Sequence, residues 1–206
     1  MSVETRATAI LIDLDGVLRF WPRPFDAAVR PGQRRIDDAV FAVAFAPDLL
    51  HRAITGVITH DVWLTETIER LSSDWPVDDT RRAVEAWADS VPSIDPVVWE
   101  FASEWRRRVP VVLVTNATSR LERDLALVGL DASFDAIVNS SDVGHAKPDA
   151  AIFEAALART GTMADQTIFI DDSVVNVEAA VSLGLVGYRF DGDVDRLRSF
   201  VDGCLA

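Results

Sequence analysis

The stretch Ala9-Ile10-Leu11-Ile12-Asp13-Leu14-Asp15-Gly16-Val17 is a short apolar run that stops at two carboxylates one residue apart, followed by a glycine. Four apolar residues are too few for a signal core or a membrane span, and they suit a strand buried on both faces. In an open α/β sheet the working site lies beyond the carboxyl ends of the strands. This strand would therefore deliver Asp13 and Asp15 to that rim, with Gly16 letting the backbone turn. Asp and Gly also make ordinary turns, and the motif alone leaves that reading open.

Outward from this stretch, two textures divide the chain. Short apolar segments rich in Val and Ile predict parallel strands over 8–14, 109–115, 136–139, 167–171 and 186–190. Between them, helical patterns over 120–128, 150–159 and 175–183 run up to Gly129, Gly161 and Gly184, the residue type favoured just past a helix C-terminus. Strand and helix in alternation give a parallel sheet covered on both faces. The stretch 19–105 breaks the rhythm, shows no convincing strand, and offers amphipathic helices over 36–45, 59–71, 79–89 and 96–107. The expected organisation is an α/β core formed by 1–18 and 106–206, with a helical cap, 19–105, inserted after the first strand. All six tryptophans (21, 63, 75, 87, 99 and 105) fall in that insertion, where a small helical unit needs large side chains for its own core. A stacking site for an aromatic substrate is the alternative use for them.

Composition narrows the function. At 206 residues with 49% hydrophobic content the chain can bury one good core. A formal charge of −13 argues against a nucleic-acid partner, since phosphate backbones are gathered by basic surfaces. It does not exclude a small anionic substrate, because a metal ion and a few donors can reverse the field locally. The lone cysteine, Cys204, permits no intrachain disulfide, and with no membrane span expected the location read from the sequence is cytoplasmic.

Three further strand ends carry polar groups to the rim that receives Asp13. The second expected strand ends in Thr115-Asn116, suited to phosphoryl oxygens but equally to capping the next helix. Lys147, the only lysine in the chain, precedes Pro148 at a helix entry and could neutralise charge on a transferring group. The fourth strand ends in Asp171-Asp172-Ser173, with Asn176 just beyond; adjacent carboxylates repel unless a cation stands near. Any one of these is ambiguous. Their convergence on one rim is what points to chemistry.

With those residues assembled, the chain resembles the haloacid dehalogenase-like hydrolases over essentially its whole length. Asp13-x-Asp15-Gly16-Val17 looks like the first motif of that family, Thr115-Asn116 the second, Lys147-Pro148 the third and Asp171-Asp172-Ser173 the fourth. The Gly144-His145-Ala146 lead into Lys147 departs from the Arg-Lys-Pro form frequent in the cap-bearing phosphatases. The resemblance implies a Rossmann-like parallel sheet core with an inserted helical, C1-type cap. It implies that Asp13 attacks phosphorus to form an aspartyl phosphate, while Asp15 protonates the leaving oxygen and then activates water. It further implies Mg2+ held by Asp13, the backbone carbonyl of Asp15, and Asp172. Asp171 would orient Lys147 or a metal-bound water, and Thr115, the backbone at Asn116, and Lys147 would hold phosphoryl oxygens.

The expected function is a magnesium-dependent phosphohydrolase acting on a small phosphorylated metabolite, as a monomer or homodimer. Asp15 speaks against a dehalogenase, which lacks an acid two residues after its nucleophile. The single lysine speaks against phosphonate cleavage through a cap lysine. A sugar phosphomutase and a non-catalytic binding protein of the same fold stay open. In the cap, Arg19, Arg23, Arg30, Arg34 and Arg35 could meet a second anionic group or pair with the many acids. His51 and His60 could assist but show no metal-ligand spacing, and His145, close to Lys147, is a loop residue beside the third motif rather than a base.

Overall fold

The structure is a computed structural model of the chain, and it describes residues 6–22 and 36–205. Arg23, Arg30, Arg34 and Arg35 lie outside the described residues.

In chain order the elements are β1 (Ala9–Ile12), β2 (Arg19–Phe20), α1 (Ile36–Ala44), α2 (Pro47–Ile54), α3 (His60–Leu71), α4 (Val77–Ala88), β3 (Ser93–Ile94) and α5 (Pro96–Arg106). There follow β4 (Val111–Thr115), α6 (Leu121–Leu127), β5 (Ala136–Asn139), α7 (Ser140–Val143), α8 (Ala150–Thr160), β6 (Thr167–Asp171), α9 (Val174–Ser182), β7 (Val186–Arg189) and α10 (Val194–Leu205).

Five strands form one parallel sheet in the order β5-β4-β1-β6-β7. Side chains alternate between its faces, as the pleat requires. Ile10, Ile12, Leu113, Ile168 and Ile170 share one core cluster with α5 and α10 residues such as Trp105, Leu197 and Val201. Leu11, Val112, Val114 and Phe169 share the other with Ile152 and Phe153 of α8 and Ala180 of α9. Strands covered on both faces explain why they read as continuous apolar runs. The register pairs Ile12 with both Leu113 and Ile170, so the chain segments leaving β1, β4 and β6 emerge side by side at one rim.

Helices α1 to α4 pack on one another through two smaller clusters, one around Ala44, Leu49, Ala53 and Trp63, the other around Val40, Leu71 and Val84. Gly56, at φ +70°, brings the turn after α2 so close to the core that an added Cβ would stand 2.1 Å from the Ser141 carbonyl oxygen.

Several findings depart from expectation. The stretch 19–105 contains a two-stranded antiparallel ribbon, with Arg19 opposite Ile94 and Phe20 opposite Ser93. Two residues per strand are too few to show a period, so no sequence pattern could announce it. The tryptophans do not share one core: Trp105 is buried in the sheet's cluster and Trp99 packs against it, because α5 lies on the sheet. Trp63 and Trp87 belong to the helical cluster as expected. Helix α10, which no expected helix covers, buries Leu197, Val201 and Leu205 at four-residue spacing. Helix α2 likewise starts with Pro47 in its first turn, a recognised start signal. Among the described residues, no helix is long and apolar enough to cross a membrane.

Candidate active site

At the sheet rim the chain's only lysine is 5% exposed, at the centre of a cluster of oxygens. Its Nζ lies 2.7 Å from Asp13 Oδ1 and 2.7 Å from Asp171 Oδ2, and it donates to the Val114 carbonyl at 2.9 Å. The backbone of Lys147 is clasped in turn by the Asn116 side chain, whose Nδ2 donates to the Lys147 carbonyl (2.8 Å) and whose Oδ1 accepts from the Lys147 N–H (2.7 Å). Such a reciprocal amide clamp fixes the direction from which the lysine enters the site. Asn116 thus uses its side chain on position 147.

Asp13 accepts from the Leu14 N–H at 2.7 Å through the oxygen that also meets Lys147. Burial pushes its carboxyl up to about 7, with Lys147 pulling it down and Asp171 pushing it further up. The Lys147 ammonium is held above the usual range, burial opposing but its two carboxylate partners prevailing. Asp171 is fully buried; besides Lys147 it accepts from the Ser173 N–H at 2.8 Å and from Asn176 Nδ2 at 3.1 Å on each oxygen. Asp172 is exposed, yet partial burial and the neighbouring Asp171 raise its carboxyl. Thr115 is buried at the end of β4 beside Asn139 of β5.

Asp13, Asp171 and Asp172 each present a carboxylate oxygen within 4.8 Å of the others. Fully ionised, the three carry three negative charges against the one positive charge of Lys147. An excess of two on hard oxygen donors is what a divalent cation such as magnesium balances. The donor set therefore fits the metal. Gly16 shapes the same corner: at φ +85°, an added Cβ would stand 2.3 Å from Asp172 Oδ2.

Asp15 faces elsewhere. Arg19 grips it as a fork, Nε to Oδ1 at 2.7 Å and Nη2 to Oδ2 at 2.8 Å, and the Trp21 indole N–H donates to Oδ1 at 2.9 Å. Its carboxylate is outside the acidic trio. Of the cap arginines, Arg19 is thereby paired with an acid and only 3% exposed.

His60, with Thr118, Ser119 and Arg120, ties α3 and α4 to the loop after β4. The His60 N–H donates to Ser119 Oγ at 3.0 Å, His60 Nδ1 lies 2.9 Å from Thr118 Oγ1, and Arg120 Nη1 donates to the Ala88 carbonyl at 2.8 Å. Sequence reading passed over Thr118, Ser119 and Arg120, which carry no spacing signal; only the folded chain shows what they reach. His145 pairs with Asp149 on the surface at 2.9 Å, and His51 is exposed on α2.

A parallel sheet whose strand ends converge on a buried lysine, acids and an amide is an α/β site equipped for an anion and a cation together. The chain belongs to the haloacid dehalogenase-like hydrolase family, whose model matches residues 7–184. It is 36% identical over 75 residues to the GMP/IMP nucleotidase YrfG of Escherichia coli, a match taking in 36% of this chain and 34% of that protein. The chain thus aligns with about a third of that relative's length. It is 27% identical over 186 residues to a phosphorylated carbohydrates phosphatase of Thermotoga maritima, covering 86% of this chain and 82% of that one. Among solved structures, a family enzyme from Bacteroides thetaiotaomicron in complex with magnesium and inorganic phosphate superposes with a TM-score of 0.69 at 21% identity, covering 91% of this chain and 96% of that one. At that identity the likeness establishes the fold.

Proposed function

We propose that this chain is a magnesium-dependent phosphohydrolase acting on a small phosphorylated metabolite through an aspartyl phosphate. The observation that carries the reading is Lys147 Nζ held 2.7 Å from both Asp13 and Asp171, with Asp172 completing an acidic trio at the same rim. The names of the E. coli and T. maritima relatives, a nucleotidase and a phosphatase, support it.

Asp13 is the nucleophile: its carboxylate attacks phosphorus, the ester oxygen leaves, and splitting one displacement into two eases each. Asp15 gives a proton to the leaving oxygen and takes one from the water that later hydrolyses the acyl phosphate. In the structure the Arg19 fork and the Trp21 N–H occupy both oxygens of its side chain, so these proton transfers require that fork to open. Thr115, the Asn116 main chain and Lys147 stabilise phosphoryl oxygens as charge shifts onto them. Asp13, the carbonyl of Asp15, and Asp172 would hold magnesium; when bound, the metal neutralises charge on the phosphate and on the trio. Asp171 orients Lys147. The division of labour is a core that carries the chemistry and a helical cap, α1 to α4, that covers it.

The test is phosphate release from an aryl phosphate with magnesium and with chelator, for the wild type and Asp13→Asn. Turnover that needs magnesium and vanishes in the variant supports the proposal; equal release by both proteins overturns it.

A further inference from the structure

A cavity of about 440 Å3 opens from the catalytic rim, where Asp15 and Asn116 line it, into the helical cap. That volume is in the range of small-molecule sites. Its cap wall is aromatic. Phe41 stacks on Phe45 with centroids 5.2 Å apart, and Phe45 meets Trp63 and Trp87 edge-on at 6.0 and 5.9 Å. Phe45 is nevertheless 45% exposed, and Trp21, at the catalytic end of the same cavity, is 37% exposed. Large aromatic surface left open on a cavity wall is surface that a ligand would cover.

The polar groups are few and mostly matched to one another. Among the described lining residues, Arg19 pairs with Asp15 and Arg120 with Asp124. Three buried nitrogens of lining residues make no hydrogen bond among the described residues: Arg19 Nη1 and Arg120 Nε, which stand 3.9 and 2.9 Å from the Asp124 carboxylate, and His60 Nε2, on a residue that is 8% exposed. The His60 ring stands edge-on to Trp63 at 5.5 Å. Burial and the Arg120 charge keep the imidazole neutral, pulling it down to about 4.

We propose that this cavity receives the leaving group of the substrate, and that the substrate is a phosphate monoester of an alcohol bearing a planar ring. The proposal rests on the phosphohydrolase reading. A polyhydroxylated sugar fits poorly, because each hydroxyl buried against Phe45, Trp63 or Trp87 loses its water without gaining a partner. A flat ring loses nothing on those faces and gains stacking.

The experiment compares kcat/KM, with magnesium present, for two pairs of esters that share a primary alcohol and differ by a ring. One pair is a purine nucleoside 5′-monophosphate and ribose 5-phosphate; the other is benzyl phosphate and ethyl phosphate. The ring ester is expected to win by about tenfold or more in at least one pair, the scale of one stacked ring. Phe45→Ala and Trp87→Ala each shrink that ratio toward one; because Phe45 is half-exposed, its variant folds even where the other does not. No ring advantage in either pair, a ratio unmoved by both substitutions, or a longer aliphatic phosphate outpacing both ring esters overturns the proposal. Acetyl phosphate, whose small leaving group does not reach the aromatic wall, separates the two levels: if the wild type fails to hydrolyse it and all four esters, the phosphohydrolase reading has failed; if it is turned over, only the substrate class is in question.

Discussion

The Asn116 side chain holds the backbone of Lys147 at both its N–H and its carbonyl, at 2.7 and 2.8 Å, across a sequence gap of 31 residues. Neither residue could be placed by the other from sequence, yet the clamp sets where the only lysine's amine arrives. In Asn116→Ala both main-chain groups lose partners in a part-buried setting, which costs about 1–3 kcal/mol. We expect a matching fall in unfolding free energy together with a drop in kcat. A variant with unchanged kcat would mean that the clamp is structural only.

Lys147 neutralises two buried carboxylates, so Lys147→Met leaves them unpaired, a change worth about 3–5 kcal/mol for a broken buried pair. The sign of its pH dependence follows from Asp13, already raised to about 7 with Lys147 lowering it. Without the lysine the folded-state value rises further, so the folded protein takes up protons more readily than the unfolded chain. Stability is then regained as pH falls below that value and lost as pH rises through it. Urea unfolding with chelator present, compared near neutral and mildly acidic pH, should show the variant most deficient at the higher pH. A deficit independent of pH would contradict this account of the cluster.

Gly16→Ala introduces a Cβ 2.3 Å from Asp172 Oδ2 on a backbone at φ +85°. Asp172 has to move, and displacing a ligand's support typically costs about 10–100-fold in metal affinity. Calorimetric titration with magnesium is expected to show weakened binding alongside a modest loss of stability. Unaltered affinity would remove Asp172 from the metal site.

His60 is 8% exposed and sits at about 4 rather than 6.5, burial being the main cause and the Arg120 charge the next. Between those values the unfolded chain binds the proton and the folded one does not, so stability falls as pH drops from 6.5 toward 4. With part of the ring's surroundings still open to solvent, the loss is on the order of 2 kcal/mol. His60→Gln, which keeps a polar group near Thr118, should flatten the pH dependence of unfolding over that window. Parallel curves for the two proteins would refute the assignment.

The sequence by itself determined the sheet and its rim. Runs such as Ala9–Ile12 and residues 111–114 are apolar throughout because both faces of a parallel strand are buried, and a run that ends in Asp or Thr marks where the strand reaches the sheet rim. Asp13, Thr115, Lys147 and Asp171 were readable for that reason: strand order and polarity are local signals repeated along the chain. Tertiary structure alone decided what depends on distant partners. The two-residue ribbon joining Arg19 to Ile94 has no period to detect. Placement of α5 on the sheet, and so the separation of Trp99 and Trp105 from Trp63 and Trp87, depends on which of two cores its apolar stripe meets, and an amphipathic stripe names no partner. The aromatic wall beside Asp15, and the His60 nitrogen left without a partner, exist only because α1, α3 and α4 are packed over the rim, a relation among surfaces that no spacing of residues encodes.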